Sequence, residues 1–428
     1  GGPADVVFVE VGGTAGDYEN GFYIEALREL AFEEGPGSTC FVALTYIIEP
    51  QILGEQKSKA AQLGIKRLME TGIQPNLVAC RAKSPVTETV MEKIGMFSNV
   101  PMTRIFSMHD RESVYSIPEE MRKAKLDREI LSMLDLHDRV DPTHEDEARQ
   151  TWSMFGRKLE TPRTHEVKLG IPGKYAALRD AYASIDKAVE HAAVHLGCTI
   201  ETHWLDTAEF EDGEAGRRIL ENLDAMIVPG GFGERGIEGK IASIKHVRER
   251  RIPFLGICLG FQMAVIEYAR HMASMPDANS TEFVADSTCP VISELPDQKE
   301  IEGLGGTMRL GGQDVQIGAG TLAQFLFRGQ SEVRERFRHR YEVEPALIKP
   351  LEAAGLVFSG RHPVHPIMQI LELPGSVHPY FVGAQFHPEL TSRPLNPQPM
   401  FMGLIASGIV QADPERAEEP ALREWIMP

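Results

Sequence analysis

The 428-residue chain is 42% hydrophobic and 25% charged, a composition typical of a globular protein of two or three domains. It has no run of about 18 apolar residues to cross a membrane, and no signal peptide opens it. A formal net charge of −18, from 62 acidic and 44 basic residues, excludes a general nucleic-acid surface but leaves a local nucleotide site open. The five cysteines, at 40, 80, 198, 258 and 289, are widely spread with no C-x-x-C pair, which points to a reduced, cytoplasmic setting and away from structural zinc.

In chain order, "DVVFVEV" (5–11), "CFVALTYI" (40–47), "NLVACRA" (76–82) and "TRIFSM" (103–108) have the texture of buried strands. Between them, "GFYIEALRELAFEE", "GEQKSKAAQLGIKRLMETG" and "TETVMEKIGMF" repeat apolar residues at helical spacing. Such alternation predicts a parallel sheet with helices on both faces. Residues 137–165 are charged and carry no strand pattern, so a connecting helix and linker is expected. The α/β pattern then restarts with "VKLGIPG" (167–173) and continues through "TIETHWL", "LDAMIVPGG" and "IPFLGI". "GGTMRLGGQDVQIGAG" has the look of a hairpin insertion. The expected organisation is a first α/β domain over 1–136, a linker over 137–165 and a second α/β domain over 166–428, each a doubly wound parallel sheet.

Cys258 falls in "GICLGFQ", between a strand and a helix. Flanked by Gly256 and Gly260, it has the pattern of a nucleophile elbow with an exposed thiol. At a helix N-terminus the dipole and free N–H groups favour thiolate. In "YFVGAQFHPEL", His387 and Glu389 are expected to end a strand, where residues two apart share a face, so the carboxylate can orient the imidazole. "VPGGFGERG" follows another strand, and the N–H groups of Gly231 and Leu259 are candidates for an oxyanion hole. Taken singly, each motif also fits a buried cysteine, a surface turn or a glycine turn; together they make a Cys-His-Glu constellation.

"PGGFGERG", "GICLGFQ" and "QFHPEL" resemble the signature segments of class I glutamine amidotransferases. "ANSTEF" (278–283), "GGTMRLG" (305–311), "HRYEV" (339–343) and "VEVGGTAGDYE" (9–19) resemble the CTP synthase family within them. The resemblance implies a class I amidotransferase fold over 166–428. It also implies attack on glutamine by Cys258, with His387 and Glu389 completing the triad and Gly231, Leu259, Gln262, Glu282 and Arg340 holding glutamine. Phe232 and Arg235 fall where the family places the activator GTP.

For the first domain, the resemblance implies amination of UTP with ATP as co-substrate. Asp17, Tyr18, Glu19, Lys57, Lys59, Gln62 and Lys93 match UTP/CTP-binding positions, and His109, Asp110 and Arg111 fall near ATP. Glu10 matches a magnesium (Mg2+) ligand. Lysines suit triphosphates as mobile point charges, although on helices they are commonly solvated. "KSKAAQ" (57–62) departs from the family's usual Lys-Thr-Lys-Pro-Thr-Gln. No G-x-x-x-x-G-K-[ST] loop occurs anywhere in the 428 residues, so the expectation is a member without its N-terminal phosphate-loop segment. The family further implies CTP as product inhibitor, homotetramers and filaments. Two other readings stay open: a free-standing glutaminase serving another synthetase, and a non-catalytic nucleotide-binding or assembly subunit.

Overall fold

The computed structural model describes residues 4–50, 54–111, 113–173, 179–207, 219–231, 233, 236–294 and 308–427. The chain divides into two compact units, Gly1–Arg157 and Lys158–Pro428.

In the first unit, β1 (Val42–Tyr46), β2 (Leu77–Ala82) and β3 (Ile105–His109) form a parallel sheet in that order. Helices α1 (Gly21–Glu34), α2 (Lys59–Glu70) and α3 (Glu88–Ser98) alternate with the strands, followed by α4 (Ile117–Lys123), α5 (Leu126–Met133) and α6 (Pro142–Glu160). Ala61 and Ile65 of α2 and Val90 and Ile94 of α3 bury their apolar stripe against Ala43, Val78 and Cys80. The run 5–11, expected as a strand, is not one. No described strand lies alongside to take its backbone hydrogen bonds, and Val7 and Phe8 are 71% and 91% exposed. The charged segment 137–165 is mostly the single helix α6.

The second unit is built on nine strands. β4 (His165–Gly173), β5 (Cys198–Asp206), β6 (Ala225–Val228), β7 (Phe254–Ile257) and β15 (Phe381–Ala384) run parallel. β10 (Arg309–Ile317), β11 (Glu332–His339), β13 (Val357–Arg361) and β14 (Met368–Glu372) continue the sheet antiparallel, giving the order β11-β10-β13-β14-β15-β7-β6-β4-β5. A small separate sheet joins β8 (Ala278–Ser280), β9 (Cys289–Ser293) and β12 (Glu342–Val343). The segment read as a hairpin insertion is different in kind. Residues 309–317 make one strand of the main sheet, and its antiparallel neighbour β11 arrives only after the short helix α10 (Leu322–Leu326). Gly311 and Gly312 lie within the ladder and make no turn. Helices α7 (Ala183–Leu196), α8 (Ile237–Arg250) and α9 (Leu259–His271) precede α10 in the second unit, and α11 (Pro345–Ala353), α12 (Pro399–Ala412) and α13 (Pro420–Arg423) follow it.

The central parallel strands β6, β7 and β15 are buried on both faces, so side chains alternate between two cores. Ala225, Ile227, Leu255 and Ile257 meet Ala188 and Ala192 of α7 and Leu404 and Ile405 of α12. Met226, Val228 and Phe254 meet Ile241 and Ile244 of α8 and Phe261 and Val265 of α9. α9 enters very close to the sheet: a Cβ on Gly260 would lie 2.1 Å from the carbonyl oxygen of Val228, so only glycine fits there.

Helices α8 and α9 are tied by an ion pair at their interface. Arg248 Nε and Nη2 donate to Glu267 Oε2 and Oε1 at 2.9 and 2.8 Å, and Glu267 is fully buried. Removing one partner of such a pair leaves the other charge uncompensated. Glu267→Ala is therefore expected to cost about 3–5 kcal/mol, read as a lowered denaturation midpoint of the second unit; a midpoint matching wild type would show that the pair contributes nothing.

Candidate active site

Ligand sites in α/β sheets form beyond the carboxyl ends of the strands. Here the neighbouring parallel strands β6, β7 and β15 each send a loop from that end: Gly230–Gly231, Cys258 and His387. The three loops converge, since a Cβ on Gly230 would lie 3.0 Å from His387 Cε1 and 3.5 Å from Cys258 Cβ.

Cys258 caps α9 with φ 51° and ψ −98°, a region that a side-chain-bearing residue enters only under constraint. Its N–H donates to the Ala384 carbonyl at 2.7 Å, fixing the elbow to β15. The thiol, expected to be exposed, is in a residue only 3% exposed because the three loops close around it. Sγ lies 3.7 Å from Gln385 Nε2 and 3.9 Å from the Arg338 carbonyl oxygen.

His387 and Glu389 are brought together, though not by strand alternation. β15 ends at Ala384, His387 stands at the start of a 3-10 turn, and Glu389 lies within that turn, Pro388–Leu390. His387 Nδ1–H donates to Glu389 Oε1 at 2.8 Å, leaving Nε2 for the thiol. Burial opposes charge on the ring, but hydrogen bonds and charge interactions with Cys258 and Glu389 outweigh it and push the His387 pKa up to about 10.

A cavity of about 190 Å³ opens beside the thiol, lined by Gly231, Cys258, Leu259, Gln262, Glu282, Met308, His339, Arg340 and Tyr341. All five residues expected to hold glutamine line it. Gly231 approaches Leu259, whose backbone N–H opens α9 and has no helical acceptor. Gln262 Nε2 donates to the Tyr341 carbonyl and to Gln385 Oε1 at 3.0 and 3.2 Å. Burial raises the Glu282 pKa, moderated by the Gly233 N–H at 3.3 Å and by the charges of Arg340 and Lys240. Phe232 and Arg235 lie outside the described residues.

Four participants were not singled out in the sequence. Gln385 lay inside the "QFHPEL" segment, and His339 and Tyr341 flank Arg340 in "HRYEV". Lys240 is 3% exposed, with Nζ 3.9 Å from where a Gly231 Cβ would be; a buried lysine gives no signal in a helical pattern.

The chain matches the glutamine amidotransferase class-I family over residues 177–407 and the CTP synthase N-terminus family over residues 2–136. A CTP synthase of Methanopyrus kandleri is 43% identical over 410 residues, covering 95% of this chain and 75% of that protein. The chain belongs to the CTP synthase family. Among solved structures, the Trypanosoma brucei CTPS glutaminase domain with bound acivicin aligns with TM-score 0.52 at 33% identity, covering 56% of this chain and 93% of that one. The α/β architecture with a class I amidotransferase fold is thus a property of this member of the CTP synthase family.

The first-unit candidates are placed as follows. Glu10 is exposed in the extended segment, Asp17 Oδ2 accepts from Thr14 N–H at 3.2 Å, and Tyr18 and Glu19 open a 3-10 turn. Lys57 pairs with Glu55 at 2.6 Å and lowers its pKa, with a smaller contribution from the charge of Lys93. Lys59 lies over the Phe97 ring, and Gln62 Nε2 donates to Ser58 Oγ at 3.0 Å. His109 ends β3 beside Ser107, Asp110 pairs with Arg81, and Arg111 pairs with Glu120. Among the described residues no group of three or more His, Cys, Asp or Glu could hold a metal ion, so none of them forms a cage around Glu10. No described helix is long and apolar enough to cross a membrane.

The raised pKa fixes a pH signature. His387 should remain an imidazolium through neutral pH and lose its proton near pH 10. Because the folded value lies above the ordinary one, the pair's stabilisation is complete below about pH 6.5 and is lost as pH rises through about 10. Histidine-ring NMR should show this titration, displaced downward in Glu389→Gln; an ordinary His387 titration near pH 6.5 would exclude the ion pair.

Proposed function

We propose that the chain hydrolyses glutamine, with Cys258 as nucleophile, His387 as proton carrier and Glu389 as its orienting partner. The carrying observation is the elbow cysteine meeting the His387–Glu389 pair at the wall of a cavity lined by Glu282 and Arg340. Arg340 takes the α-carboxylate and Glu282 the α-ammonium. An incoming ammonium also restores to Glu282 the charge that burial disfavours. Sγ attacks the side-chain carbonyl carbon, and the oxyanion is received by the Gly231 and Leu259 N–H groups. The C–N bond then breaks, His387 supplies the proton to departing ammonia, and a thioester remains. Water, deprotonated by His387, attacks the thioester and releases glutamate.

The second half of the proposal is the first unit's share in the family reaction, in which ammonia aminates UTP to CTP at the expense of ATP: it supplies UTP/CTP- and ATP-binding residues but not the phosphate loop. Support comes from family membership. Asp17, Tyr18, Glu19, Lys57, Lys59, Gln62 and Lys93 form the proposed UTP/CTP site, and His109, Asp110 and Arg111 the ATP site. GTP activation, CTP inhibition, tetramers, filaments and a cytoplasmic location belong to the same proposal.

An electrophilic glutamine analogue should label Cys258 alone. Burial pushes the Cys80 and Cys198 pKa values up to about 12, leaving those thiols inert. Cys258→Ala should abolish glutamine hydrolysis without unfolding; labelling elsewhere, or an active alanine variant, would refute the triad. Arg340→Ala should raise KM for glutamine, with a loss of about 2–5 kcal/mol in transition-state binding if its ion pair is desolvated. An unchanged KM would place Arg340 outside the substrate site.

The 428 residues contain no G-x-x-x-x-G-K-[ST] loop to position a γ-phosphate. This polypeptide alone is therefore expected to hydrolyse glutamine yet form no CTP from UTP, ATP and ammonia. CTP above background in that assay would show that the phosphates are held by another device.

A further inference from the structure

Behind the catalytic turn lies a second carboxylate, Glu335, which the triad chemistry does not use. Side chains on β11 alternate, and Glu335 faces inward at 4% exposure while Arg334 and Arg336 face out. The strand already braces the turn through its backbone, since His387 N–H donates to the Arg336 carbonyl at 2.8 Å.

Four contacts bear on the protonation of Glu335. Gln398 Oε1 accepts the Met400 N–H at 2.7 Å, which fixes the orientation of its amide, and Gln398 Nε2–H donates to Glu335 Oε1 at 3.2 Å. Glu335 Oε2 lies 2.8 Å from Thr391 Oγ1, and the same hydroxyl lies 3.1 Å from the Pro388 carbonyl oxygen. A hydroxyl carries one hydrogen, and an ionised carboxylate and a carbonyl would both need it. If Glu335 Oε2 bears a proton, every contact is satisfied: Glu335 donates to Thr391, and Thr391 donates to Pro388.

We propose that Glu335 is a positioning residue that works as the neutral acid. Its proton begins a chain through Thr391 to the Pro388 carbonyl and locks the turn that presents Glu389 to His387. The neutral state also leaves Glu389 without a second negative charge beside it, which matters because Glu389 Oε2 is buried with no hydrogen-bond partner among the described residues.

The surroundings agree with this geometry. Burial raises the Glu335 carboxyl to about 7 despite the hydrogen bonds of Thr391 and Gln398, and the charge of Glu389 adds to the rise. Of the other elements around it, β10 places the neutral Gln313 opposite Glu335, and α12 contributes only the amide of its cap, Gln398. Farther along, α7 reaches this network through His191, bonded to Ser392 Oγ, which in turn accepts the Gln398 N–H.

The test compares glutaminase kinetics of Glu335→Gln, Glu335→Ala and Thr391→Val in the full chain. Glutamine at 335 can reproduce the neutral acid, donating through Nε2 to Thr391 and accepting from Gln398. Glu335→Gln should therefore keep kcat within about threefold, while Glu335→Ala and Thr391→Val lower kcat by about 10- to 100-fold. KM for glutamine should stay nearly constant throughout, because neither residue lines the cavity. The double variant Glu335→Ala/Thr391→Val should be no worse than Glu335→Ala, both acting on one chain. Equal losses in Glu335→Gln and Glu335→Ala, an unimpaired Thr391→Val, or losses that appear in KM would overturn the proposal. Thr391→Val carries the test should Glu335→Ala fail to fold. The inference rests on the proposed glutaminase reading, and the two fail separately: wild-type turnover reports on that reading, and the ratios among variants on Glu335.

Discussion

The backbone of Cys258 is held at φ 51° and ψ −98°, and the arrangement around the thiol depends on that one unfavourable conformation. Such a residue costs on the order of 1–3 kcal/mol and persists only where its surroundings over-determine it. Here the constraints are traceable. The Cys258 N–H is tied to Ala384, its carbonyl accepts the Gln262 N–H, and Gly260 closes on Val228 with no room for a side chain. Residues 259–269 are all buried, so α9 cannot rotate to relieve the strain without exposing apolar surface on several sides. The core therefore holds the thiol at the one place where β6, β7 and β15 all deliver a loop.

Around that fixed point, burial sorts the acids into different states. Glu389 faces the His387 imidazolium. Burial works against ionisation of Glu342, but the charges and hydrogen bonds of His339 and Arg309 hold its carboxyl below the usual range. Burial raises Glu282 and Glu335 as well; away from the thiol, level with the amino-terminal half of β15, it also raises Glu372, although its oxygens accept the Leu322 and Ala323 N–H groups. In a chain of net charge −18 this sorting is necessary. Neighbouring carboxylates can share a desolvated region only if some are neutral or paired with cations.

Much of this was legible in the sequence because it is local. The G-x-C-x-G corner, the strand–helix alternation and the order of the motifs depend on nearest neighbours along the chain, and α1 spans the residues its apolar spacing predicts. What was not legible is set by partners distant in sequence. The run 5–11 has strand composition, but a strand needs a neighbour. His387 and Glu389 meet through a 3-10 turn begun by Pro388, not through strand alternation. Residues 305–320 have the look of a hairpin insertion, whereas 309–317 form a single strand whose partner is β11, beyond α10. Lys240 and Glu335 look like ordinary surface charges in a helix and an alternating strand until burial is known.

The least legible feature is how β11 reaches the site at all. In the sheet order it is separated from β15 by β10, β13 and β14, which in a flat sheet would be roughly 19 Å at about 4.8 Å per strand. Yet the Arg336 carbonyl accepts the His387 N–H at 2.8 Å, three residues beyond the end of β15. The antiparallel half must therefore curl over the carboxyl ends of the parallel strands. A device for that curl is visible between β13 and β14, where the register shifts on either side of Gly360. Such irregularities bend a strand and increase its twist. Arg338, His339 and Arg340 follow on the same strand and its end, so the bend that lets β11 brace His387 also delivers one wall of the cavity. Nucleophile and base come from the parallel half, and Arg340 and the positioning acid Glu335 from the antiparallel half. The two are in register only because the sheet is mixed and curved.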